Sequence, residues 1–249
     1  MSVLVNTNMI KNKLYGLRLM KRAFKGVEGI SVLPWRVYDS PKEFADSHFP
    51  GAKRLLIRTN MPGNNGYETW SYLPREDAHG NAIEKMTEMH DYWLNTAKAE
   101  VIANELREEK VKPEAIQFIV HKVEPRNEYQ LNLQVHFRLG KVRLVSANLA
   151  QGKVWRNSPK DFIDAMNFED LAKYITAHEP SLQVHANQIV ANLEQGYRKV
   201  IEKLRDEGHE VDKVDFEMSA ATHKDRPTHV EFYDFLLKRT KKEPIKQTK

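Results

Sequence analysis

The chain has 249 residues, 41% of them hydrophobic and 29% charged, which is enough apolar material for a buried core and unlike a disordered polymer. It contains no cysteine, which excludes disulfides, thiolate metal ligands and cysteine nucleophiles and fits a reducing compartment. The net charge of +5 resides in the last stretch, where Lys238, Arg239, Lys241, Lys242, Lys246 and Lys249 meet one acid, Glu243, so the body is close to neutral.

No run approaches the roughly 20 apolar residues that span a bilayer. The opening stretch is too short and too polar for a secretory signal. Cytoplasm is the expected location. The basic tail, residues 238–249, is read as a solubilising end or as an arm for phosphates of nucleic acid.

In chain order, residues 9–25 place Ile10, Leu14, Leu17 and Met20 on one helical face, and Gly26 and Gly29 stop the helix. The stretch from Ile30 to Asp39 reads as a strand interrupted at Pro34. Ser40, Pro41 and Glu43 then give a hydroxyl N-cap, a proline in the first turn and a carboxylate, the signature of a helix start. Residues 52–59 form a buried strand. Residues 60–82 hold Gly63, Gly66 and Gly80 among asparagines and prolines, so a long loop is expected. From Ile83 to about Lys110 a long helix follows, with Met86, Met89, Trp93, Ala97, Ile102 and Leu106 along one face.

The next block is strand: residues 115–123, 128–137 and 141–149, the last two joined by a tight turn at Arg138-Leu139-Gly140. In the middle strand Tyr129, Leu131, Leu133, Val135 and Phe137 alternate with polar residues, so one face is buried. Helices are expected at about 160–177 and 181–207. Two strands, 210–218 and 228–235, close the body around a polar stretch from Ser219 to Pro227. The histidines lack zinc-helix spacing, there is no Gly-x-Ser-x-Gly elbow, and the four tryptophans are too dispersed for a stacking platform.

The sequence GISVLPWRVYDSPKEF followed by RLLIRT, within this order of elements, resembles the ATP-grasp fold over roughly residues 10–235. The resemblance implies an α/β (α+β) protein of two subdomains with mainly antiparallel sheets clasping a nucleotide. It implies a small subdomain over 1–115 with the glycine loop and long helix, a sheet subdomain over 116–237, and the tail.

For function, the resemblance implies ATP and Mg²⁺ as cofactors and ligation of a small-molecule carboxylate to an amine through an acyl phosphate. Arg58 stands at the strand end where the family has a phosphate-binding lysine, and it is the one catalytic candidate. Lys11 or Lys13 would supply a second cation. Gly63 and Gly66 would cover the triphosphate with backbone N–H groups. His121, Lys122 and Val123 stand where the family has the hinge that holds adenine. Asp215 and Glu231 match two metal ligands. Tyr233 occupies the place of an expected asparagine, so the neighbouring Asp234 serves only if a bulge turns it to the same face. That departure, with Arg58 and the tail, supports an alternative: a non-catalytic nucleic-acid-binding or scaffold protein on a degenerate fold.

Overall fold

The computed structural model describes residues 13–47, 49, 54–60, 70–73, 78–95, 116–124, 128–138, 141–149, 163–165 and 167–239. Among these are five α-helices and ten strands: α1 (Lys13–Ala23), β1 (Ile30–Val32), β2 (Trp35–Tyr38), α2 (Pro41–Ser47), β3 (Arg54–Asn60), β4 (Trp70–Leu73), α3 (Ala78–Asn95), β5 (Gln117–Val123), β6 (Tyr129–Arg138), β7 (Lys141–Leu149), β8 (Ile163–Ala165), α4 (Phe168–His178), α5 (Ala186–Asp206), β9 (Val214–His223) and β10 (Val230–Arg239). None of the described helices is long and apolar enough to cross a membrane.

Several starts and stops follow the chemistry of their residues. At α2 the Glu43 amide donates to Ser40 Oγ at 3.1 Å, and the Glu43 carboxylate accepts the Asp39 amide at 2.6 Å, so the two side chains cap reciprocally. After α1 the chain turns at Gly26 and Gly29, whose φ angles of 75° and 76° lie in the left-handed region that glycine tolerates best.

The strands form two sheets. A six-stranded sheet has the order β1-β10-β9-β6-β7-β8, and a four-stranded sheet the order β2-β5-β3-β4. Every pairing is antiparallel except β1 with β10. One apolar core joins the large sheet to α1, α4 and α5 through residues such as Leu17, Leu133, Leu193 and Phe232. A second lies between the small sheet and α2 and α3, where Phe44, Ile57, Met86, Met89, Trp93 and Phe118 meet. The expected face of the long helix is therefore buried through Trp93. Its continuation, with Ala97, Ile102 and Leu106, lies outside the described residues. A third, small cluster (Leu33, Leu56, Val123, Tyr129, Ala221, Tyr233) draws on both sheets and ties them together.

Three expectations change. The stretch 60–82 contains a strand, since Trp70–Leu73 pairs with Leu55–Arg58, and α3 begins at Ala78. The division after residue 115 does not follow the sheets. β5 pairs with β2 and β3 because Phe118 and Val120 complete the core under α3, while α1 and β1 belong with the large sheet. The basic tail does not begin at Lys238, since Lys238 and Arg239 pair with Asp215 and Val214 as the end of β10.

Candidate functional site

The period of two along β3 and β5 sorts their side chains onto two faces. Leu55 and Ile57, with Phe118 and Val120, enter the core beneath α3. The alternate residues, Leu56, Arg58 and Asn60 on β3 and Ile119, His121 and Val123 on β5, belong to the opposite face. Register places Leu56 opposite His121 and Arg58 opposite Ile119, so Arg58 and His121 are diagonal neighbours. The start of α1 arrives at the same place, where the Leu14 amide donates to Asn60 Oδ1 at 3.2 Å.

Three of the expected site residues thus converge: Lys13 and Arg58, each 6% exposed, and His121, fully buried. Burial first, and then the charges of Arg58 and Lys13, hold the His121 pKa well below the ordinary 6.5, so its imidazole is neutral. Neither of its ring nitrogens has a hydrogen-bond partner among the described residues.

Facing this cluster is β10. Val230 and Phe232 point into the large core, and so do Phe235 and Leu237, an odd step between the two pairs. The register confirms a bulge, with Phe232 opposite Ala220 and Asp234 opposite Ser219. Tyr233 is the extra residue. It joins the inter-sheet cluster, and the bulge turns Asp234 toward the small sheet beside it. Arg58 Nη2 donates to Asp234 Oδ2 at 3.0 Å, and Nη1 to the Tyr233 carbonyl at 3.5 Å. The Tyr233 phenol is raised above its ordinary value by burial and by the charge of Asp234.

Glu231 is buried one strand-step away. Its Oε2 lies 2.9 Å from His223 Nε2, and its Oε1 lies 3.6 Å from Arg226 Nη2. The Tyr129 ring covers His223 with centroids 4.3 Å apart. Beside them the His229 ring meets Ser31 Oγ at 2.8 Å.

Asp215 is not part of this corner. Glu231 pairs with Ala221, while Asp215 pairs with Lys238 at the far end of the same hairpin. Six residues of strand separate Ala221 from Asp215, roughly 20 Å. The expected carboxylate pair is therefore not assembled. No group of three or more His, Asp or Glu side chains among the described residues is arranged to hold a metal. The donors that are present do not fit Mg²⁺, because Glu231 is bonded to His223 and Asp234 to Arg58.

The expected hinge is an interior strand segment. His121 pairs with Trp35 on one side and Leu56 on the other, and the Lys122 amide donates to the Pro34 carbonyl at 3.0 Å. The Lys122 amide is thus used by the sheet, and the Val123 side chain is closed into the inter-sheet cluster. Lys11, Gly63 and Gly66 lie outside the described residues, as does the tail beyond Arg239. Sequence reasoning missed His223 and Asn60. The signal for His223 lay in the hairpin register, which sets it beside Glu231.

The fold is shared with solved ligase structures. D-cycloserine synthetase DcsG matches over 94% of this chain and 63% of its own, with a TM-score of 0.52 and 12% sequence identity. The L-amino acid ligase from Bacillus licheniformis matches over 91% of this chain and 42% of its own, with a TM-score of 0.51 and 6% identity. The chain spans less than two thirds of the length of either. No protein-family model and no curated protein matches the sequence.

Proposed function

From the ATP-grasp fold that this chain carries, we propose that it binds ATP between its two sheets, with the triphosphate at Lys13 and Arg58. The observation that supports this reading is the convergence of Lys13, Arg58 and His121 on the face of the small sheet that meets the large one. Two positive charges in a weakly solvated place favour a polyanion strongly. Lysine acts there as a compact point charge. Arginine offers a planar fork of donors, of which Arg58 gives Nη2 to Asp234 and Nη1 to the Tyr233 carbonyl. The imidazole of His121 adds a neutral donor and acceptor that no described residue uses.

The finer reading is a ligase that activates a carboxylate and joins it to an amine. It draws on the names of the two solved neighbours, a synthetase and an amino acid ligase. Phosphoryl transfer of that kind relies on Mg²⁺ to bridge the phosphate oxygens. Because Glu231, Asp234 and Asp215 do not form a ligand set, no step is assigned to a metal here. That same observation favours a second reading, in which ATP is bound without transfer of its phosphate.

One experiment separates these. ATP binding raises the melting temperature by mass action, by about 2.7 kcal/mol of stability at a hundredfold excess over Kd. Phosphate release is then assayed with amino acids supplied as both carboxylate and amine. A melting temperature unmoved by millimolar ATP overturns the binding reading. Binding with phosphate release selects the ligase, and binding without it selects the second reading.

A further inference from the structure

Away from the inter-sheet corner, a groove of about 470 Å³ is lined by α5 together with the start of β7 and the start of α4. That volume falls within the roughly 300–1,000 Å³ of small-molecule sites. Tyr197, Ile201 and Arg205 follow one another at intervals of four along α5, so they share one stripe of the helix. Val142 of β7 and Phe168 of α4 complete the apolar lining. The Tyr197 ring is anchored by its neighbours, with centroids 5.8 Å from Phe137, 6.1 Å from Phe168 and 6.2 Å from Phe216. Val142, Phe168 and Tyr197 are only half-buried, which leaves aliphatic and aromatic surface open to the groove.

Both acids of the groove are already engaged. Arg198 gives Nε and Nη2 to Glu194 Oε1 at 3.1 and 2.6 Å, and Lys199 holds Glu202 at 2.7 Å. Arg205, which is exposed, forms no ion pair among the described residues. The Tyr197 hydroxyl has no hydrogen-bond partner among them either. Burial raises the Tyr197 phenol above its ordinary value, against the nearby guanidinium charges of Arg198 and Arg205, so the hydroxyl keeps its proton and can donate it. A cationic ligand would have to break one of the two existing pairs, whereas an anion finds a guanidinium and a phenol donor ready. We propose that this groove binds a small amphipathic carboxylate, with its apolar body against Phe168, Tyr197 and Ile201 and its carboxylate at Arg205 and the Tyr197 hydroxyl. The inference stands apart from the nucleotide reading, since none of the described lining residues belongs to the small sheet, to α1 or to β10.

Amide chemical-shift titration of the full chain tests this, with 3-phenylpropanoate as the probe and 3-phenylpropanamide as its uncharged counterpart. The expected result is saturable shifts centred on residues 197–205 of α5 and the start of α4, with a Kd of about 5 mM or tighter, the range open to about a dozen heavy atoms. The amide is expected to bind about threefold or more weakly, on the scale of an ion pair at a partly exposed position. Arg205→Gln, at an exposed position where folding is not at stake, is expected to weaken the carboxylate by a similar factor and to leave the amide unchanged. Tyr197→Phe, which keeps the ring, is expected to weaken the carboxylate more than the amide. Shifts that never saturate, or that centre on other elements, overturn the inference. So does equal affinity for carboxylate and amide, or a carboxylate affinity that Arg205→Gln leaves intact.

Discussion

Replacing Glu231 by glutamine separates a structural carboxylate from a metal ligand without any nucleotide present. The Glu231 side chain is 7% exposed and that of His223 2%, with 2.9 Å between the bonded atoms. A buried hydrogen bond to a charged group contributes about 1.5–3 kcal/mol. Arg226 adds little, because its side chain is 45% exposed and solvent screens the pair at 3.6 Å. Glutamine keeps an oxygen that can accept from His223 but loses the charge, so part of the interaction survives. The expected loss is about 1–2 kcal/mol, which for a chain of this size lowers Tm by roughly 2–8 °C. Thermal unfolding followed by circular dichroism in EDTA reads this out. A carboxylate held ready for a metal behaves in the opposite way, since neutralising it removes a cost of burial. A Tm that is unchanged or raised in the Glu231→Gln variant would therefore refute the structural role.

Gly16 in α1 crosses β10 so closely that an ideal Cβ there lies 2.8 Å from the Phe235 carbonyl oxygen and 2.7 Å from its ring. Alanine gains about 1 kcal/mol of helix propensity. It also forces apart a helix and a strand already hydrogen-bonded into the sheet, at a cost of about 1–3 kcal/mol. Gly16→Ala is expected to lower Tm, and a rise would show that the crossing yields. A pH prediction concerns His121. Its folded pKa is depressed below 6.5, so above that value both states are neutral and nothing changes. As pH falls below 6.5 the unfolded chain takes up a proton that the folded chain refuses, and stability is lost by up to about 1.4 kcal/mol per pH unit. His209 and His229 are also depressed, each mainly by burial, and act in the same direction. The test is therefore a difference: denaturant unfolding between pH 7 and pH 5 should show a shallower loss for His121→Leu than for the unaltered chain. Equal slopes would place the His121 proton elsewhere.

What the sequence revealed depends on whether the signal was local. The N-cap at Ser40 and Glu43, the alternation along β6 and the apolar stripe of α3 are written within a few neighbouring residues, and the structure has all three. The convergence of Lys13, Arg58 and His121 was reached through the family resemblance, not through spacing. The metal corner failed because it depended on register. Residues 219–223, Ser-Ala-Ala-Thr-His, are small and polar and read as a loop, yet they continue β9. Their buried positions are covered by the core on one side and by the small sheet on the other. With β9 running to His223, Glu231 faces Ala221 and leaves Asp215 far behind. The bulge at Tyr233 was named as a condition for Asp234 and is present, but the carboxylate it delivers is taken by Arg58. β4 was lost among glycines and asparagines because a four-residue strand carries no periodicity of its own.

The most direct measurement of the central claim is the affinity of the chain for ATP by calorimetry, compared with the variants Lys13→Met and Arg58→Met, in EDTA. Methionine keeps the length and apolar character of each stem and removes the charge. If the phosphates lie at these two side chains, each variant weakens binding by about tenfold or more, about 1.4 kcal/mol. Both variants should bind tripolyphosphate correspondingly less. ATP affinity undiminished in both variants, with the fold intact by circular dichroism, would contradict the account.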